Sequence, residues 1–149
     1  MFIHGKTGKK YYSVREKLNY FKTRISDKSL SEAQRKYAKT RISELSSINE
    51  RTYNEPRLVV TDDKVFGNQI HKPRLCAVID EDKSGKLFVA PIVGRTTKAI
   101  ILDNDHNRQV GDRRAWIDRS NIYEDKYIED TKPLTTNDKI KIKNILRKK

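Results

Sequence analysis

Two short apolar runs constrain this chain more than any other feature: Leu75–Ile79 (LCAVI) and Leu87–Ile92 (LFVAPI), separated by the polar linker Asp80–Lys86 (DEDKSGK). Each is too short for a helix and apolar at consecutive positions, as in a buried strand. The linker has turn chemistry, with a glycine near its end, so the pair reads as two antiparallel strands joined by a loose hairpin. Such a hairpin sets the start of its first strand beside the end of its second. His71, Lys72 and Arg74 lead into the first strand, and Arg95, Thr96, Thr97 and Lys98 follow the second. The expected result is four cations, a histidine and two hydroxyls in one small area, a composition suited to phosphate.

The charge balance points the same way. Among 149 residues, 33 are Lys or Arg and 20 are Asp or Glu, leaving +13. That excess fits a polyanionic partner, above all nucleic acid; the plain alternative is a merely basic protein. A chain of this length supports one core without staples. The single cysteine, Cys76, excludes an intrachain disulfide and a multi-cysteine zinc site, and its apolar strand context marks a core thiol. No apolar run reaches the roughly 18 residues of a membrane span, and MFIHGKTGKK has no apolar h-region. A cytoplasmic protein with no membrane partner is expected by elimination.

At the N-terminus, HGKTGKK lacks the glycine and preceding strand of a phosphate loop, so a flexible basic arm is expected. Ser13 and Glu16 form a capping box, followed by Val14, Leu18, Phe21 and Ile25 at helical spacing. Ser26-Asp27-Lys28 ends that helix. Ser29 with Glu32 reads as a second box, opening a helix to about Ile48 or Arg51 with the stripe Leu30, Ala33, Tyr37, Ile42, Leu45 and Ile48. The short connection makes the two helices antiparallel neighbours. They carry too few large apolar residues to stand alone, so they must pack on the rest of the fold or on a second copy. Their cations either guide RNA or dock a partner, or simply form a solvated face.

After Tyr53 the pattern changes to short strands and polar turns. The strand segments are Arg57–Thr61 (RLVVT), the central pair, Ala99–Leu102 (AIIL) and Ala115–Ile117; Asp103–Val110 reads as a turn-rich excursion. This spacing indicates a small antiparallel barrel. Thr135 or Thr136 caps a final helix with Ile140, Ile142, Ile145 and Leu146 as its apolar positions. The chain therefore divides into a basic arm and helical hairpin over residues 1–55 and a barrel domain over residues 56–149.

In order, KPRLCAVID, KLFVAPIVGRT, AWIDRSNIY and PLTTNDKIKIKNIL resemble the PemK/MazF family of toxin ribonucleases, from about Arg57 to the C-terminus. The resemblance implies an α+β fold: a small SH3-like antiparallel β-barrel with a C-terminal helix, here with an added N-terminal helical hairpin. It also implies a toxin-type endoribonuclease that cuts single-stranded RNA without metal or cofactor, as a homodimer neutralised by an antitoxin protein. Arg74, after Lys72-Pro73, matches the family's catalytic arginine, with Leu75 where the family has proline. The family's V-A-P-I-T-S strand reads Val89-Ala90-Pro91-Ile92-Val93-Gly94, so Val93 stands at the position of the catalytic threonine. Thr96 or Thr97 would supply a displaced hydroxyl. The competing reading is a non-catalytic nucleic-acid-binding module on the same barrel, from a mobile element.

Metal-free RNA cleavage needs a base for the 2′-hydroxyl, a donor or cation for the phosphorane and an acid for the leaving 5′-oxygen. A permanently charged, forked guanidinium suits the second role, so Arg74 is assigned there. His71 or His106 can shuttle a proton near neutral pH; the candidate catalytic set is Arg74, Thr96 and His71. Lys72, Arg95, Thr97, Lys98, Arg113 and Arg114 are the candidate RNA-binding residues. Trp116 can stack on a base, although a core position is the expectation for it. Asp80-Glu81-Asp82 reads as a solvated loop, Asp103, Asp105 and His106 form at most a weak cation site, and no G-x-S-x-G is present.

Overall fold

The sheet is built on the hairpin that the apolar runs announce. The structure is a computed structural model that describes residues 1–94, 100–102, 105–124 and 134–147. Its elements are β1 (Phe2–Ile3), β2 (Lys10–Tyr11), α1 (Val14–Ile25), α2 (Glu32–Asn49), β3 (Arg57–Asp62), β4 (Pro73–Glu81), β5 (Lys86–Val93), β6 (Ile100–Leu102), β7 (Asp105–Val110), β8 (Ala115–Asp118) and α3 (Thr136–Arg147). The described residues thus form a mixed α+β fold with three helices and antiparallel sheets. The main sheet runs β3-β4-β5-β7-β6, and β8 pairs with β5 alongside β7. Among the described residues this path does not close into a barrel. One antiparallel bridge joins β3 to the segment after β8, where the Tyr123 N–H donates to the Val60 carbonyl at 2.9 Å.

The central strands are apolar over Leu75–Ile79 and Leu87–Ile92 because both faces are covered there. Val59, Cys76, Val78, Leu87 and Val89 pack with Val14 and Leu18 of α1 and Leu45 of α2. The alternate residues Leu58, Ala77, Ile79, Phe88, Ala90 and Ile92 pack with Ile142 of α3. The helical hairpin accordingly rests on the sheet of its own chain, and one apolar cluster spans the change in secondary structure near residue 55. Between β4 and β5, Gly85 takes φ +87°, a left-handed conformation that favours glycine. Cys76 is fully buried, and burial pushes its thiol pKa far above the ordinary range, as befits an inert core thiol.

Several local expectations are corrected. The N-terminal residues form the β1–β2 hairpin instead of a flexible arm, because Phe2 and Tyr11 stack and bury against Val60 and Tyr123. The cap of α2 is Ser31, boxed with Gln34, two residues beyond the expected Ser29; Asp27 instead accepts the Ser29 N–H and hydroxyl in a tight turn. The buried stripe of α2 includes Ala38 and Leu45, so Tyr37, one position off that register, is exposed. Residues 105–110 form β7 where a turn was expected, since pairing with both β5 and β6 outweighs their polar composition. Trp116 is 49% exposed, tilted against Phe88 with ring centroids 4.9 Å apart, and is no core residue. Thr135 caps α3 in a reciprocal box with Asp138, and Ile140 faces outward. No helix among the described residues is long and apolar enough to cross a membrane.

Candidate functional site

The β3–β4 register decides what surrounds Arg74. Thr61 lies opposite Arg74 and Asp62 opposite Pro73, so the acidic end of β3 faces the basic start of β4. Asp63, 2% exposed, accepts from Arg74 Nε at 2.9 Å and from Nη2 at 3.4 Å, and its backbone N–H donates to the Lys72 carbonyl at 2.8 Å. Lys72 Nζ lies 3.8 Å from the same carboxylate. Arg74 Nη1 reaches the Ile92 carbonyl of β5 at 3.4 Å. The guanidinium is thereby oriented by a buried acid on one side and a strand backbone on the other.

Arg74 lines a cavity of about 320 Å³ together with Asp63, Asn68, Val93, Asp112 and Arg113. Arg113 is held over it by donation from Nη1 to the Phe66 carbonyl at 2.8 Å. The wall opposite depends on Gly111, whose N–H donates to the Pro91 carbonyl at 2.7 Å; an added Cβ there would stand 3.2 Å from that oxygen and 3.3 Å from the Val93 side chain. The cavity therefore presents two guanidiniums, two carboxylates, one carboxamide and the Val93 isopropyl group.

Two features differ from the sequence expectation. Instead of a bare cation cluster, each basic group at the head of β4 faces an acid. His71 is also turned elsewhere: its Nδ1 pairs closely with Asp62, and its ring stacks on Phe2 at 5.7 Å, in contact with the N-terminal hairpin and apart from the residues lining the Arg74 cavity. Asp62 Oδ1 also accepts the Lys72 N–H at 3.2 Å. Arg114 donates to the Gly111 and Arg113 carbonyls, bracing its own turn, and burial lowers its pKa. Arg95, Thr96, Thr97 and Lys98 lie outside the described residues. His106 falls on β7.

Sequence reasoning missed Asp63 and Asn68. A signal for the first was present: Asp62-Asp63 directly follows RLVVT, and antiparallel pairing of that strand with LCAVI lands the acids against Lys72-Pro73-Arg74. Comparison of the chain with protein families, curated proteins and solved structures returns no match.

Proposed function

We propose that this chain is a toxin-type endoribonuclease, resembling the PemK/MazF family, that cleaves single-stranded RNA without a metal and acts on the phosphodiester in the Arg74 cavity. The observation that carries this reading is that Arg74 and position 93, the two places where the resemblance locates catalytic groups, line one cavity with Arg113 beside them. The connectivity supports it. Strands β3, β4, β5 and β8 are mutually paired in antiparallel order, and after a 3-10 turn the chain returns to β3 at Tyr123, a connectivity compatible with the proposed small barrel although the sheet is open among the described residues.

Of the five guanidinium N–H donors, Asp63 and the Ile92 carbonyl engage Nε and one hydrogen on each terminal nitrogen. The remaining two are available to a phosphate oxygen. As the 2′-oxygen attacks phosphorus and the 5′-oxygen departs, negative charge grows on the non-bridging oxygens, and a pre-oriented guanidinium stabilises it without reorganising. The proton leaving the 2′-hydroxyl must reach the departing 5′-oxygen, and this transfer is assigned to a hydroxyl beyond β5, Thr96 in the first instance, because Val93 offers no hydroxyl to relay it. The homodimer and the antitoxin partner follow from the same resemblance.

Val93 specifically favours the second reading, a binding module that does not cut. Incubation with fluorescent single-stranded RNA in excess EDTA separates the two. Product from the wild type, reduced about a hundredfold or more in Arg74→Gln and raised in Val93→Thr, is the nuclease outcome. Salt-sensitive binding without product from wild type and Val93→Thr establishes the module instead.

A further inference from the structure

A further cavity lies away from Arg74, on the helical hairpin. It occupies about 1010 Å³ and is lined by Tyr12, Tyr20, Phe21, Arg24, Tyr37 and Arg41, with Lys17 and Glu124 at its floor. A second cavity of about 430 Å³ adjoins it and shares Tyr20, Phe21, Arg24 and Tyr37. Through these shared residues the two cavities form one groove along the helical hairpin. Tyr20 is 55% exposed and Tyr37 61% exposed, so the fold does not need their rings for its core. Phe21 meets both at near right angles, 5.1 Å and 5.9 Å between centroids, and neither tyrosine is stacked face to face on a neighbour. Arg24 lies over the Tyr20 ring, 5.4 Å from its centroid.

Charge selects the occupant. Lys17 Nζ, at 2.6 Å, and Arg41 Nη2 both pair with one oxygen of Glu124, and Arg41 Nη1 also pairs with Glu44 at 2.6 Å, so the positive balance comes from the helices as a whole and not from this pair. Glu16 is occupied by the Ser13 cap. Across residues 14–49 there are nine Lys and Arg against four Asp and Glu. Open aromatic rings interleaved with cations along an extended groove match a flexible polyanion that carries flat rings. We propose that this groove binds single-stranded nucleic acid, with bases stacked on Tyr20 and Tyr37 and the backbone beside Arg24 and the Lys17–Arg41 pair. The proposal shares with the nuclease reading only its choice of ligand, and holds whether or not Arg74 supports cleavage.

The test uses the full chain and a labelled 2′-O-methyl RNA of about twelve nucleotides, within the length such sites cover; lacking a 2′-hydroxyl, it cannot be cut and reports binding alone. Stacking one base contributes about fivefold to 150-fold in affinity. The Tyr20→Leu/Tyr37→Leu double variant is expected to bind about tenfold or more weakly, and Tyr20→Phe/Tyr37→Phe within about twofold of wild type. Arg24→Gln should flatten the dependence of log K on log salt by about 0.7. Arg74→Gln should leave the Tyr-to-Leu ratio unchanged, so loss of cleavage and loss of groove binding are read separately. Unchanged affinity in the Leu double variant overturns the proposal. So does equal weakening in the Phe variant, which would assign the contact to the hydroxyls, or wild-type self-association that the Leu variant abolishes, which would make the groove a protein interface.

Discussion

Replacing Asp63 by Asn tests whether Arg74 is positioned as described. The substitution keeps one carbonyl oxygen for the 2.9 Å contact with Arg74 Nε, but sets an NH2 group against Nη2 and leaves Lys72 Nζ, 3.8 Å away, without its carboxylate. Breaking a fully buried ion pair costs about 3–5 kcal/mol. Asp63 is buried but the Arg74 side chain is 27% exposed, so water recovers part of that loss. A cost of about 2–3 kcal/mol follows, in line with hydrogen bonds to charged groups. For a chain of this size that lowers Tm by about 4–12 °C. Urea unfolding of wild type, Asp63→Asn, Arg74→Gln and the double variant gives the coupling directly, with about 1.5–3 kcal/mol expected for residues in contact. In the opposite direction, phosphate or RNA affinity of Asp63→Asn should rise, because Arg74 loses the charge that partly cancels its own. A coupling below about 0.5 kcal/mol would refute the ion pair as the positioning device. Weaker RNA binding in a folded Asp63→Asn protein would show that orienting the fork matters more than its net charge.

Two further outcomes check other parts of the structure. Burial by itself would raise the Glu124 pKa, but Arg41 and Lys17 outweigh it and hold the carboxyl below its ordinary 4.5. The unfolded chain then binds the proton more readily, so this contribution to stability is full above about pH 4.5 and is lost as the pH falls through the lowered value. Glu124→Gln should therefore be less stable than wild type at neutral pH, with the difference in urea midpoint shrinking from about pH 6 to about pH 3. At the start of α2, Ser31→Ala should cost about 1 kcal/mol by thermal unfolding, and more than Ser29→Ala, because Ser31 holds the Gln34 N–H at 3.1 Å.

The sequence by itself determined the local elements whose cause is local. The capping box of α1, the apolar stripe of Val14 and Leu18, the hairpin of LCAVI and LFVAPI, and the burial of Cys76 all rest on residues close in the chain. Arg74 was legible as the chemically distinctive cation, and Val93 as the position lacking a hydroxyl. Only the tertiary structure decided their company. Asp63 neutralises Arg74 through strand register, a one-residue quantity that composition does not encode. His71 turns to Phe2 because the N-terminal residues return to the sheet. Tyr37, spaced for a helical stripe, is left outside because the packing of α2 on α1 selected Ala38. Periodicity specifies that one face is buried; which face, and what it meets there, is set by contacts between segments distant in sequence.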